Sequence, residues 1–184
     1  MSVLELSANA LNALSILLAG RNSVHSWWTG ILGCLLFCAL FAQQSAYADV
    51  TRQLFFIGTS VVGFCHWRTQ GGTRPELPVC TTPPAELRKL AAGASIAVLG
   101  HALVLHHLTD AVAPLMESGV LALSVIAQLL LMKRRLETWW FWLGVNTLAV
   151  PLFVSRGLHV TAALYAAFWF NALLSARRWR ELVL

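Results

Sequence analysis

Seven apolar segments, each about the 20 residues needed to cross a hydrocarbon core, alternate with short polar breaks along this chain. They fall at roughly 3–20, 24–43, 47–67, 86–107, 111–132, 137–155 and 158–177. The one long connection is roughly 68–85, Arg-Thr-Gln-Gly-Gly-Thr-Arg-Pro-Glu-Leu-Pro-Val-Cys-Thr-Thr-Pro-Pro-Ala, and its Gly and Pro content marks a loop. The other connections are a few residues each, so sequential helices should be antiparallel neighbours.

The polar positions inside these segments are not scattered. At 100° per residue, Trp139, Trp142, Asn146 and Phe153 of span 6 fall within one arc of about 60°, while Trp140 and Phe141 point elsewhere. Lipid-facing Trp belongs near the interfaces, and an amide in hydrocarbon is costly without a partner. The stripe is thus expected to face protein or a water-filled cavity, where two aromatic faces beside an amide suit a flat, uncharged or cationic ring. The alternative is an interfacial Trp belt with Asn146 bonding a neighbouring helix. Pro151 removes a backbone hydrogen bond inside span 6, so a kink or hinge is expected there.

Span 5 carries Glu117, Leu121, Ser124 and Gln128 at i, i+4, i+7 and i+11, one continuous face. An intramembrane acid is a functional candidate, its alternative being a capping or cross-helix carboxylate. Span 3 places Gln53, Phe56, Ser60 and Phe64 on one side, and Asn9, Asn12 and Asn171 add further amides. Singly, each could serve as a bond between helices. Together they point to a polar cavity nearly free of formal charge. Such a lining suits a neutral or singly cationic solute with hydroxyls and a flat ring, such as a nucleoside or vitamin. A phosphate would call for Arg or Lys within the membrane. No HExxH or GxSxG motif occurs, and no His or Lys lies near a nucleophile, so an enzyme is not expected.

Composition fits a polytopic membrane protein. Of 184 residues, 58% are hydrophobic and 11% charged, with mean hydropathy +0.67, where a soluble domain carries about a quarter charged residues. The net charge of +5 is not a nucleic-acid footprint, because the charges sort by side. Arg21, Arg68, Arg74, Arg88, Lys89, Lys133, Arg134, Arg135, Arg177, Arg178 and Arg180 fall on one side of the seven spans, and only Arg52 and Arg156 on the other. The positive-inside rule then puts the N-terminus outside and the C-terminus in the cytoplasm. The N-terminal residues show no basic region or cleavage site of a secretory signal. Cys34, Cys38, Cys65 and Cys80 have no metal-ligand spacing and read as small packing residues, and neither a metal nor a cofactor is expected. His106-His107 lies at a helix end and is a weak candidate for metal.

The chain also repeats. Arg21 through Trp67 aligns with Lys133 through Trp179 at a shift of 112 residues, bringing Trp27-Trp28 onto Trp139-Trp140 and Trp67 onto Trp179. Short turns around Ser45 and Gly157 separate the paired spans. The expectation is an all-α membrane protein of seven transmembrane helices in a 3+1+3 parallel-repeat arrangement. A first three-helix bundle would occupy 1–67, a linker helix 86–107 and a second bundle 111–180, all within one transporter domain over 1–184. Ala91-Ala92-Gly93-Ala94-Ser95 suits span 4 to close packing. Transporters built from repeats place substrate near the midplane between the halves.

Several of these motifs resemble the PnuC family of bacterial vitamin transporters. Arg21-Asn22-Ser23-Val24-His25-Ser26-Trp27-Trp28-Thr29-Gly30 is similar to its first signature, as is Tyr47-Ala48-Asp49 followed by Gln53-Leu54-Phe55-Phe56. Glu137-x-Trp139-x-x-Trp142 and Gly157-Leu158-x-x-Thr161-Ala162-x-Leu164-Tyr165 are similar to its C-terminal signature. The resemblance implies a fold like the SWEET sugar transporters, a homotrimer in the bacterial inner membrane, and facilitated diffusion of nicotinamide riboside. It also implies trapping of the product by a cytoplasmic ribosylnicotinamide kinase. Trp139 and Trp142 would stack on the pyridine ring, and Gln53, Ser124, Gln128 and Asn146 would hold the amide and ribose, with Phe56 and Glu117 lining the same site. The family often has Asp where Glu117 and Asn146 stand, and a neutral residue at 146 would shift preference among substrates. Thiamine or a deoxynucleoside is the alternative substrate, and an ion-coupled carrier using Glu117 the alternative mechanism.

Overall fold

The computed structural model describes residues 3–43, 47–69, 78–108, 113–155, 157 and 159–183. Seven helices follow in order: α1 (Val3–Gly20), α2 (His25–Gln43), α3 (Tyr47–Thr69), α4 (Pro84–Leu108), α5 (Pro114–Met132), α6 (Thr138–Ser155) and α7 (His159–Glu181). Each matches an expected span to within a few residues. The turn around Ser45, Arg74, Arg156, Leu158 and the side chains of Tyr47, Ala48 and Asp49 lie outside the described residues.

Two helix ends differ from expectation for local reasons. Pro114 occupies the first turn of α5, where its missing N–H has no intrahelical acceptor to lose. Helix α7 runs on to Glu181 rather than stopping at 177, with Arg178 and Arg180 set against the negative end of its dipole. Helix α6 continues through Pro151 to Ser155.

Among the described residues, α1, α2, α4, α5 and α7 are long and apolar enough to cross a membrane by length and composition. Helices α3 and α6 fall short of that mark. The residues that lower their hydropathy include Arg52, Gln53, His66 and Arg68 in α3, and Trp139, Trp140, Trp142 and Asn146 in α6. These two helices carry five of the candidate site residues, Gln53, Phe56, Trp139, Trp142 and Asn146.

The chain forms two compact units, Met1–Pro78 and Val79–Leu184. In the first, α2 packs against both α1 and α3. Gly63 of α3 makes the second contact possible, because a Cβ there would lie 2.6 Å from the Trp27 ring. In the second unit, α6 packs against both α5 and α7, and α4 against α5. Ala94 of α4 meets Ile126 and Leu130 of α5, with Leu90 and Phe141 alongside. Farther along the same pair, His101 Nδ1 and Ser118 Oγ lie 2.8 Å apart.

Backbone detail repeats at the 112-residue shift. After α1, Ser23 N–H donates to the Leu18 carbonyl at 3.0 Å and Asn22 N–H to that of Ala19 at 2.9 Å. After α5, Arg135 N–H donates to Leu130 and Arg134 N–H to Leu131, both at 3.0 Å. Each set is a Schellman cap, which requires a left-handed residue just past the helix. Asn22 (φ 55°) and Arg134 (φ 51°) fill that position, and among the described residues they are the two non-glycines with positive φ. The ensuing turn is also shared: Ser26 N–H donates to Ser23 and Thr138 N–H to Arg135, each at 3.1 Å.

Candidate functional site

The α6 stripe divides into residues with different surroundings. Trp139 is only 2% exposed and meets Trp179 of α7 edge to face, with centroids 5.3 Å apart and planes at 85°. Trp27 and Trp67, their repeat equivalents, meet in the first unit at 5.2 Å and 86°. The indole N–H groups of both Trp139 and Trp27 are buried without a hydrogen-bond partner among the described residues. A geometry present in both bundles belongs to helix packing, and it occupies the Trp139 ring within the second unit. Trp142, one turn on, is only half-buried and has no such ring partner among the described residues. Asn146, a further turn on, is 4% exposed, and no described residue hydrogen-bonds its side chain.

The adjacent helix α5 supplies the second polar face. Ser124 and Gln128 are both buried. The Ser124 hydroxyl donates to the Val120 carbonyl at 2.6 Å, leaving its oxygen as an acceptor. Thr138 Oγ1 donates to the Ala127 carbonyl at 2.7 Å and pins the start of α6 beside Gln128. On α5, Gly119 and Leu123 face Leu148 and Gly144 of α6. By helical register, Ser124 and Gln128 lie roughly 140° round α5 from that contact, on the flank away from α4.

Glu117 is a different case. It sits half-buried in the first turn of α5. A carboxylate there is stabilised by the positive end of the helix dipole. Gln53 and Phe56 lie half-buried on α3 of the first unit, with Ser60 of the same face buried. Trp142 and Asn146 thus lie on α6, and Ser124 and Gln128 on the packed helix α5, each pair turned away from the α5–α6 contact.

Sequence reading missed a clasp at the start of α6. The residues after the long loop, Val79 to Thr82, run beside the α5–α6 connection. Cys80 N–H donates to the Arg134 carbonyl at 3.1 Å, and Leu136 N–H donates to the Cys80 carbonyl at 3.0 Å. Thr82 N–H and its hydroxyl both donate to one oxygen of Glu137, at 2.9 and 2.6 Å. The Arg135 guanidinium donates to the Thr81 carbonyl. Val79, fully buried, bridges to Val183 near the C-terminus. Arg134 is buried in this end, and desolvation lowers its pKa to about 10. No periodicity announces such a contact. The only signal was an acid, Glu137, directly preceding the aromatic stripe.

With this geometry in view, comparison with known proteins is decisive. Residues 2–181 match the model of the family described as nicotinamide mononucleotide transporter. The chain belongs to this family, the PnuC transporters. It is 24% identical over 204 residues to the nicotinamide riboside transporter PnuC of Escherichia coli, an alignment covering 97% of this chain and 85% of that one. The Neisseria mucosa protein of the same name is 23% identical over 145 residues, covering 76% of this chain and 55% of its own. A crystal structure of the vitamin B3 transporter PnuC matches with a TM-score of 0.77 at 22% identity, over 98% of this chain and 81% of that one. That likeness shows a common fold. Family membership with several apolar helices makes the chain a multi-pass membrane protein, as its composition indicated.

Proposed function

We propose that this protein carries nicotinamide riboside across the bacterial inner membrane by facilitated diffusion. The observation that carries this reading is the near end-to-end match to curated nicotinamide riboside transporters, spanning 97% of this chain. The polar faces of α5 and α6 support it chemically. The substrate joins a flat cationic pyridine ring to a hydroxylated sugar. An indole face suits the ring, and amides and hydroxyls suit the carboxamide and ribose. In our reading Trp142 stacks on the ring, with Trp139 completing the aromatic wall from behind. Asn146, Gln128 and Ser124 hold the polar groups. Among the described residues, Lys and Arg lie near helix ends or between helices rather than among these side chains. That distribution favours the riboside over a phosphorylated form, despite the family's description.

The wider proposal is a 3+1+3 arrangement similar to the SWEET transporters, assembled as a homotrimer, with the C-terminus in the cytoplasm. Net uptake would follow from phosphorylation by a cytoplasmic ribosylnicotinamide kinase, which a bound carrier without a coupling ion requires. Calorimetric titration of purified protein with nicotinamide riboside, thiamine and a deoxynucleoside tests the substrate. Binding of the riboside alone supports the proposal, and tighter binding of either other ligand replaces it.

A further inference from the structure

The flank of α5 opposite Ser124 and Gln128 forms a concavity. It is a groove of about 580 Å³ within the second unit, floored by Gly119 and Leu123 of α5 and walled by α4 and by Phe141 of α6. Ala91, Ser95 and Leu99 form the α4 wall. The one hydroxyl among these residues is spent internally, Ser95 Oγ donating to the Ala91 carbonyl at 3.0 Å. The α4 wall from Ala91 to Leu99 is about 12 Å long at 1.5 Å per residue. The small side chains at Ala91, Ser95 and Gly119 give it depth. A narrow, apolar slot of this length suits a hydrocarbon chain.

Charge decides which amphiphile. Arg88, Ala91, Ser95 and Leu99 recur at i, i+3, i+7 and i+11, so Arg88 stands on the groove stripe one turn beyond its end. Arg88 is exposed and joins no ion pair among the described residues. The neighbouring Lys133, by contrast, is held by Glu86 at 3.2 Å. A guanidinium at the mouth of an apolar slot matches a phosphodiester joined to an acyl chain.

We infer that this groove binds an anionic phospholipid of the leaflet on the Arg88 side, its acyl chain between α4 and α6 and its phosphate on Arg88. The inference rests on membrane insertion and on none of the substrate assignments. Native mass spectrometry of the full chain with added dioleoyl phosphatidylglycerol or dioleoyl phosphatidylcholine tests it directly. The expected result is several-fold greater retention of phosphatidylglycerol. Arg88→Gln should reduce that lipid to the phosphatidylcholine level, and Arg88→Lys should retain most of the preference. Ser95→Trp, which fills the slot, should abolish retention of both, while Ile96→Trp on the outer face should not. Equal retention of the two lipids, or a preference untouched by Arg88→Gln and Ser95→Trp, overturns the site. So does an intermolecular disulfide formed by Ser95→Cys in membranes, which would put a second copy of the chain in the groove. Riboside binding measured on the same variants should be unchanged, so failure of this site and failure of the transport reading are separable.

Discussion

Trp139 meets Trp179 edge to face at 5.3 Å between ring centroids, the same relationship that Trp27 bears to Trp67 at 5.2 Å. Both pairs join the start of a middle helix to the end of a third one. Trp139 and Trp142 belong to one aromatic stripe, yet this contact gives them separable roles.

Trp139→Ala should act first on stability. Removing a buried Trp side chain costs about 3–5 kcal/mol through lost burial and the cavity left behind. The expected outcome is a lower detergent-solubilised melting temperature, with Trp27→Ala giving a loss of similar size. A Trp139→Ala protein that melts like the parent would remove the buttress role.

Trp142→Ala should act on affinity instead. Stacking of a ring on an indole contributes about 1–3 kcal/mol, by analogy with base–aromatic contacts. Calorimetry should show weaker binding of nicotinamide riboside in a protein of nearly parental thermal stability. Trp140→Ala, whose ring is about half exposed, should be milder.

Asn146→Leu tests the amide beside that ring. Its side chain is buried with no hydrogen bond from the described residues, so a leucine should cost the fold little. It should weaken riboside binding by at least the worth of one hydrogen bond, about 0.5–1.5 kcal/mol. Parental affinity would exclude a direct contact.

Glu117→Gln should preserve uptake into proteoliposomes, with or without an imposed proton gradient. The acid lies in the first turn of α5, where its interaction with the dipole contributes about 0.3–1 kcal/mol. Loss of gradient-driven uptake in this variant alone would establish ion coupling.

Thr82→Val removes a hydroxyl from the 2.6 Å bond to Glu137. Leaving a carboxylate short of one donor should lower stability by about 1–3 kcal/mol. Thr82→Ser should restore most of it. Equal melting of all three proteins would show that the clasp contributes nothing.

The helices were readable because apolar runs of membrane-spanning length leave little choice of structure. The 112-residue repeat was readable for another reason: Trp, basic residues and turn residues recur in order. The structure adds that Asn22 and Arg134 share one left-handed cap, which side-chain chemistry alone would not suggest. Periodicity showed that Trp139, Trp142 and Asn146 share an arc, but not that Trp139 would be taken up by Trp179. That depended on a residue from another helix. The same limit applies to Thr82 and Glu137, 55 residues apart. The start of α5 was read three residues early because the apolar pattern extends back beyond Pro114, where the helix begins.

The bridge from Val79 to Val183 has a consequence for how the protein is made. Every interaction described within the first unit involves residues already synthesised when the ribosome reaches Pro78. The second unit differs, because Val79 at its opening must wait more than a hundred residues for Val183. That end is therefore closed only once Val183 has emerged. Removing Val183 would take that bridge away from Val79.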